Sequence, residues 1–116
     1  MNPHSVTRDF EAALCAYTGA KYAVAVTSCT AALQIAVAYC LRKSDPVVGI
    51  AGPIRFVHEI EIPRRTYVGV AQAIQQAGGR VSFRDEQWTG GYQLKPLPIY
   101  DYARRFTSGM YVAGTF

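Results

Sequence analysis

The chain has 116 residues, about the length of one small domain. Half of them are hydrophobic and 17% are charged, a composition that excludes a disordered chain. Twelve basic and eight acidic residues leave a net charge of +4, but the basic residues are dispersed among acids and clustered only in pairs, with no RNA-binding signature; nucleic-acid binding therefore ranks last.

The longest apolar stretch, Ala31 to Leu41, is interrupted by Gln34 and is far too short to span a bilayer. Met1 is followed by Asn2, Pro3 and His4, without the basic and apolar regions of a secretory signal, so the expectation is a soluble, cytoplasmic chain. Cys15, Cys29 and Cys40 are odd in number and show no C-x-x-C spacing, and His4 and His58 stand at no metal-ligand spacing. No metal site and no disulfide framework are expected.

In chain order, Thr7 to Tyr17 places Phe10, Ala13, Leu14 and Tyr17 at helical spacing, and Gly19 is positioned to end that helix. Tyr22 to Val26 is a short continuous apolar run, the pattern of a strand buried on both faces. Ala31 to Leu41 is apolar nearly all round and reads as a buried helix. Residues Lys43 to Val57 read as an irregular connection. His58 to Pro63 reads as a strand, Thr66 to Ala77 as a second amphipathic helix stopped by Gly78-Gly79, and Arg80 to Arg84 as a third strand. Asp85 to Pro98 is turn-rich, and Pro98 to Asp101 predicts a fourth, very short strand. Alternating strands and helices of this kind predict an α/β architecture with a mostly parallel sheet, whose ligands bind beyond the carboxyl ends of the strands.

Three of those ends carry suggestive chemistry. Ser28-Cys29-Thr30 opens a helix, where free N–H groups and two hydroxyls suit a phosphate; a simple Ser N-cap explains the same residues. Tyr67 follows the strand at Ile62 and offers a ring for a planar ligand, or plain packing. Asp101 follows the last strand and could pair with a protonated ring nitrogen, or merely cap a helix. Together they are the parts of a pyridoxal phosphate site other than its lysine.

These residues also resemble a family. Phe10-Glu11, the run Tyr17-Thr18-Gly19-Ala20-Lys21-Tyr22-Ala23-Val24-Ala25-Val26, and Ser28-Cys29-Thr30-Ala31-Ala32-Leu33 are similar to the opening of the DegT/DnrJ/StrS sugar aminotransferases, which reads F-E, tGakyavav, S-G-T-A-A-L. Pro63 to Tyr67 resembles the family's P-x-x-T-[FWY] turn, Ala77 to Asp85 its aGakpvfvD strand, and Asp101-Tyr102-Ala103-Arg104 its D-x-A-[QH]. The similarity is collinear and covers nearly the whole chain.

The resemblance implies a pyridoxal-phosphate enzyme of the aspartate-aminotransferase fold, working as a homodimer with its sites at the subunit interface. Such enzymes take an amino group from a donor and aminate a keto sugar carried on a nucleotide. By the same resemblance, Ser28 and Thr30 with the intervening amides would hold the cofactor phosphate. Tyr67 would stack on its ring, Asp101 would pair with the ring nitrogen, and Arg104, beyond Ala103, would lie near the phenolic oxygen. Cys29 stands where the family has Gly, and Arg104 where it has Gln or His.

The segment bearing the family's covalent lysine follows a G-T-F stretch, and Gly114-Thr115-Phe116 is where this chain stops. Lys21, Lys43 and Lys95 are in other contexts, so no catalytic residue is assigned. The expectation is residues 1–116 as an incomplete large domain, without the small C-terminal domain and inactive alone. A sugar dehydratase of the same fold, with His at the lysine position, and a non-catalytic binding or remnant protein are the alternatives.

Overall fold

The computed structural model describes residues 2–43, 48–49, 52–53 and 58–116. Helix α1 spans Ser5–Thr18 and α2 Cys29–Lys43; two-residue strands β1 (Val48–Gly49) and β2 (Gly52–Pro53) pair antiparallel. Strand β3 (Glu59–Pro63), helix α3 (Val68–Gln76) and strand β4 (Arg80–Arg84) follow, and then the short strands β5 (Tyr92–Gln93) and β6 (Tyr100–Asp101). The helices and strands expected at 7–17, 31–41, 58–63, 66–77, 80–84 and 98–101 are all present within a few residues. Most of the 43–57 connection lies outside the described residues.

The centre is a strand–helix–strand unit. β3 and β4 run parallel in register from Glu59↔Arg80 to Pro63↔Arg84, the arrangement that needs a crossover helix. Helix α3 supplies it, burying Gly69, Val70, Ala73 and Ile74, and α2 packs beside it through Leu33, Val37 and Cys40. Gly78 ends this crossover with φ +97°, a conformation that a residue with a Cβ rarely adopts. The core comprises these side chains with Ile60, Ile62, Tyr92, Leu94 and Ile99. Each isoleucine or leucine fully buried there contributes about 1.5–3 kcal/mol.

The rest of the core, Tyr92, Leu94 and Ile99, comes from a hairpin whose first strand lies inside the turn-rich stretch, where none was expected, and whose second is the short strand expected at 98–101. β5 and β6 pair antiparallel, and Leu94 N–H donates to the Ile99 carbonyl at 2.9 Å. Lys95 then bridges to Glu61 by two backbone bonds, which docks the hairpin on the free side of β3. Arg84 locks the junction: its guanidinium donates to the Glu61 and Gln93 carbonyls, each at 2.7 Å, and pairs with Glu86. Of the mostly parallel sheet expected, the described residues show one five-residue parallel pair, with an antiparallel hairpin bridged to its other edge, an arrangement compatible with part of an α/β domain.

Two expectations are corrected. Tyr22 to Val26 forms no strand, and Tyr22 and Val24 are 77% and 80% exposed. The edges of β6 are taken by β5 on one side and by Phe116 on the other, whose carbonyl accepts from Tyr100 N–H, so the run has no ladder there to join. Helix α2 is buried along a single face, leaving Ile35 and Tyr39 exposed, because the described residues cover it from one side only. α1 buries no residue at all and is held at its end, where Tyr17 stacks on Phe106 and the Tyr17 and Thr18 carbonyls accept from Gly109 and Tyr111. The radius of gyration is 16.2 Å, against about 13 Å for a compact chain of this size. Among the described residues no helix is long and apolar enough to cross a membrane, and no cluster of His, Cys, Asp and Glu could hold a metal ion.

Candidate functional site

The site forms where the N-termini of α2 and α3 meet the end of β6. Ser28 caps α2: its Oγ accepts from Ala31 N–H at 3.1 Å and its carbonyl accepts from Ala32 N–H. The N-cap role weighed from the sequence is thus present. It leaves the Cys29 and Thr30 amides ahead of the helix's own ladder, at its positive end.

Thr30 and Tyr67 both lie against Gly69 in the first turn of α3. A Cβ built on Gly69 would lie 3.0 Å from Thr30 Oγ1 and 2.4 Å from Tyr67 Cε1, so hydroxyl and ring occupy the space that the glycine leaves. Tyr67 itself precedes α3 in extended backbone, with its ring 70% exposed.

Asp101 ends β6 and is only 6% exposed. Cys29 Sγ lies 3.8 Å from its Oδ1, and the Tyr92 hydroxyl donates to its Oδ2 at 3.0 Å. Tyr92 has one hydroxyl proton and gives it to Asp101, so the Thr66 hydroxyl, also bonded to Tyr92, is the donor in that pair. No cationic side chain among the described residues forms an ion pair with Asp101. The surroundings act on the neighbouring acids: burial, the Asp101 charge and its hydrogen bond push the Cys29 thiol up. Burial likewise pushes the Tyr92 phenol up, against the Thr66 hydrogen bond and with the help of the Asp101 charge.

A cavity of about 380 Å³ is lined by Tyr67, Asp101, Ala103 and Arg104, together with Arg65, Thr66 and Trp88. Ala103 and Arg104 form a turn after β6, anchored by Arg104 N–H donating to the Gly90 carbonyl at 2.9 Å. The fold therefore gathers four of the residues singled out from the sequence at one cavity. Cys29 joins them through Asp101, Thr30 through Gly69, against which Tyr67 also lies, and Ser28 through the α2 terminus it shares with both. Lys21, Lys43 and Lys95 are not among the residues lining this cavity.

Sequence reasoning missed Thr66, Trp88 and Tyr92. Trp88 donates its indole N–H to the Arg65 carbonyl at 2.8 Å and packs edge-on against Tyr92, ring centroids 4.9 Å apart. Only the spacing Tyr92-x-Leu94 hinted at a buried strand face amid the glycines and prolines.

No curated protein and no solved structure matches the chain. Residues 4–107 match the sequence model of the DegT/DnrJ/EryC1/StrS aminotransferases. That match takes in α1, α2, the β3–α3–β4 unit and the strand ends just described; the chain belongs to the DegT/DnrJ/EryC1/StrS aminotransferase family.

Proposed function

We propose that residues 1–116 form the cofactor-binding part of a pyridoxal-phosphate-dependent aminotransferase large domain, whose intact form acts on a nucleotide-linked keto sugar as a homodimer. The observation that carries this reading is Asp101: a buried carboxylate served, among the described residues, only by neutral donors, facing a cavity beside an exposed aromatic ring. A cationic ring nitrogen completes such an arrangement, since a buried charge is favoured when an opposite charge meets it.

The residues present fit the cofactor. In this reading Ser28, Thr30 and the amide of Cys29 hold its phosphate at the α2 N-terminus. Tyr67 and Ala103 bracket the ring, Asp101 holds the proton on its nitrogen, and Arg104 faces its phenolic oxygen. Bound pyridoxal phosphate supplies an electron-accepting ring. Because none of the three lysines lines the cavity, these 116 residues bind the cofactor without holding it covalently and do not transaminate by themselves.

Titrating the chain with pyridoxal phosphate and following the cofactor's absorption tests this. Saturable binding is expected, weakened about tenfold or more in Asp101→Asn, with no single lysine trapped stoichiometrically by borohydride. Unsaturable binding, or equal binding by Asp101→Asn, sinks the proposal.

A further inference from the structure

We infer that Tyr92 is a positioning residue for this site: it orients the Asp101 carboxylate and, through Thr66, ties that carboxylate to the loop that carries Tyr67. The inference rests on the cofactor reading above and extends it to residues that the family resemblance leaves without a role.

A carboxylate turns easily about its last torsion, and its use as a partner for a ring nitrogen depends on one oxygen staying aimed. Tyr92 is built to keep it aimed. The phenol is 4% exposed on β5, directly across the ladder from Asp101, which sits on β6. Its hydroxyl reaches Oδ2 at 3.0 Å, a firm bond, whereas the Cys29 thiol stands 3.8 Å from Oδ1, where a weak sulfur donor leaves room for a second partner.

The ring is itself immobilised. Trp88 packs edge-on against it, and Trp88 is pinned to the Arg65 carbonyl. Thr66 bonds the phenolic oxygen from the other side, and Thr66 is the residue immediately before Tyr67. One chain of hydrogen bonds thus runs from the residue beside the stacking ring to the acid. Tyr92 does not line the cavity of Tyr67 and Asp101, so it acts from behind the carboxylate and does not touch the ligand. Outer groups of this kind govern how well the contacting residue performs.

The test uses Tyr92→Phe, which keeps the ring against Trp88 and deletes only the hydroxyl, and Thr66→Val, which leaves Tyr92 in place should the first variant fail to fold. For the full chain, pyridoxal phosphate is expected to bind Tyr92→Phe about tenfold more weakly. The pH at which the bound cofactor's absorption changes, as its ring nitrogen loses a proton, is expected to fall. Thr66→Val is expected to show a smaller loss in the same direction.

Unchanged affinity and an unchanged pH profile in both variants overturn the positioning role while leaving the cofactor reading standing. Failure of the parent chain to bind overturns both. A cofactor-free measurement separates the contact itself: phenol ionisation followed by ultraviolet absorption should include one tyrosine that titrates at lower pH in Asp101→Asn than in the parent. Identical titrations would remove the Tyr92–Asp101 coupling on which the inference stands.

Discussion

The Thr30 hydroxyl and the Tyr67 ring close over the same hydrogen of Gly69, joining the first turn of α2 to the first turn of α3. Residues from two separate motifs come to the same backbone position because the glycine there has no side chain to hold them off.

Gly69→Ala should therefore divide stability from binding. Alanine is favoured over glycine by about 1 kcal/mol in a helix interior and by less in the first turn. Of the two groups in its way, the Tyr67 ring is exposed and can swing aside, and the Thr30 hydroxyl, at 3.0 Å, needs only a small shift. The melting temperature is expected to hold or rise, while pyridoxal phosphate affinity falls several-fold because Tyr67 has moved. Thermal unfolding and a cofactor titration on the same preparation check this, and unchanged affinity would show that the ring's place is immaterial.

Gly79→Ala should behave in the opposite sense. Its added Cβ would stand 2.8 Å from Ile74 Cγ2 and 2.9 Å from Ile60 Cδ1, both fully buried with nowhere to go. Overpacking of this kind costs about 1–3 kcal/mol. Denaturant unfolding should show the loss as a lowered midpoint at constant slope.

Alkaline pH should destabilise the fold through Cys29 and Tyr92. Both are pushed above their ordinary values of 9.0 and 10.0, so the unfolded chain releases these protons first as pH rises. The unfolded state then binds fewer protons than the native one, and stability falls with pH. Their contribution is whole below pH 9.0 and is lost progressively above it, with the Tyr92 share going above pH 10.0. Tyr92→Phe should flatten the upper part of a stability-versus-pH curve taken by urea unfolding; an unaltered curve would count against burial of the phenol.

The isolated chain should self-associate. Tyr22, Val24 and Ile35 are 77%, 80% and 59% exposed, and all three border an apolar cavity of about 580 Å³ between the 22–26 run, α2 and β6. Contiguous apolar surface of this kind is rare on monomers. Size-exclusion chromatography across a concentration series should show growing assemblies, reduced in Val24→Lys with Ile35→Lys. A single monomer peak at high concentration would overturn the expectation.

Most helices and the longer strands were legible because their patterns are local. The 3.6-residue spacing of Val70, Ala73, Ile74 and Ala77 and the alternation around Ile60 and Ile62 need no distant partner to be read. The failures were non-local. Tyr22 to Val26 has the composition of a buried strand, but a strand exists only where an edge accepts it, and the edges of β6 are occupied. The short strand β6 was legible as Pro98 to Asp101, but β5 and its pairing with β6 were hidden for the converse reason: a two-residue strand among glycines and prolines carries no period, and the hairpin is held by contacts outside itself, such as those of Lys95 with Glu61.

The order of motifs along the chain determined by itself the family, because covalent order and residue chemistry are all that such a resemblance requires; from the same resemblance came Ser28, Cys29, Thr30, Tyr67, Asp101, Ala103 and Arg104 as the residues to watch. That four of them face one cavity, that Thr30 and Tyr67 both lie against Gly69, and that Tyr92 and Thr66 stand behind Asp101 was decided only by tertiary structure. A hydrogen bond between strands depends on register and burial, and neither is written in the spacing of residues along a single strand.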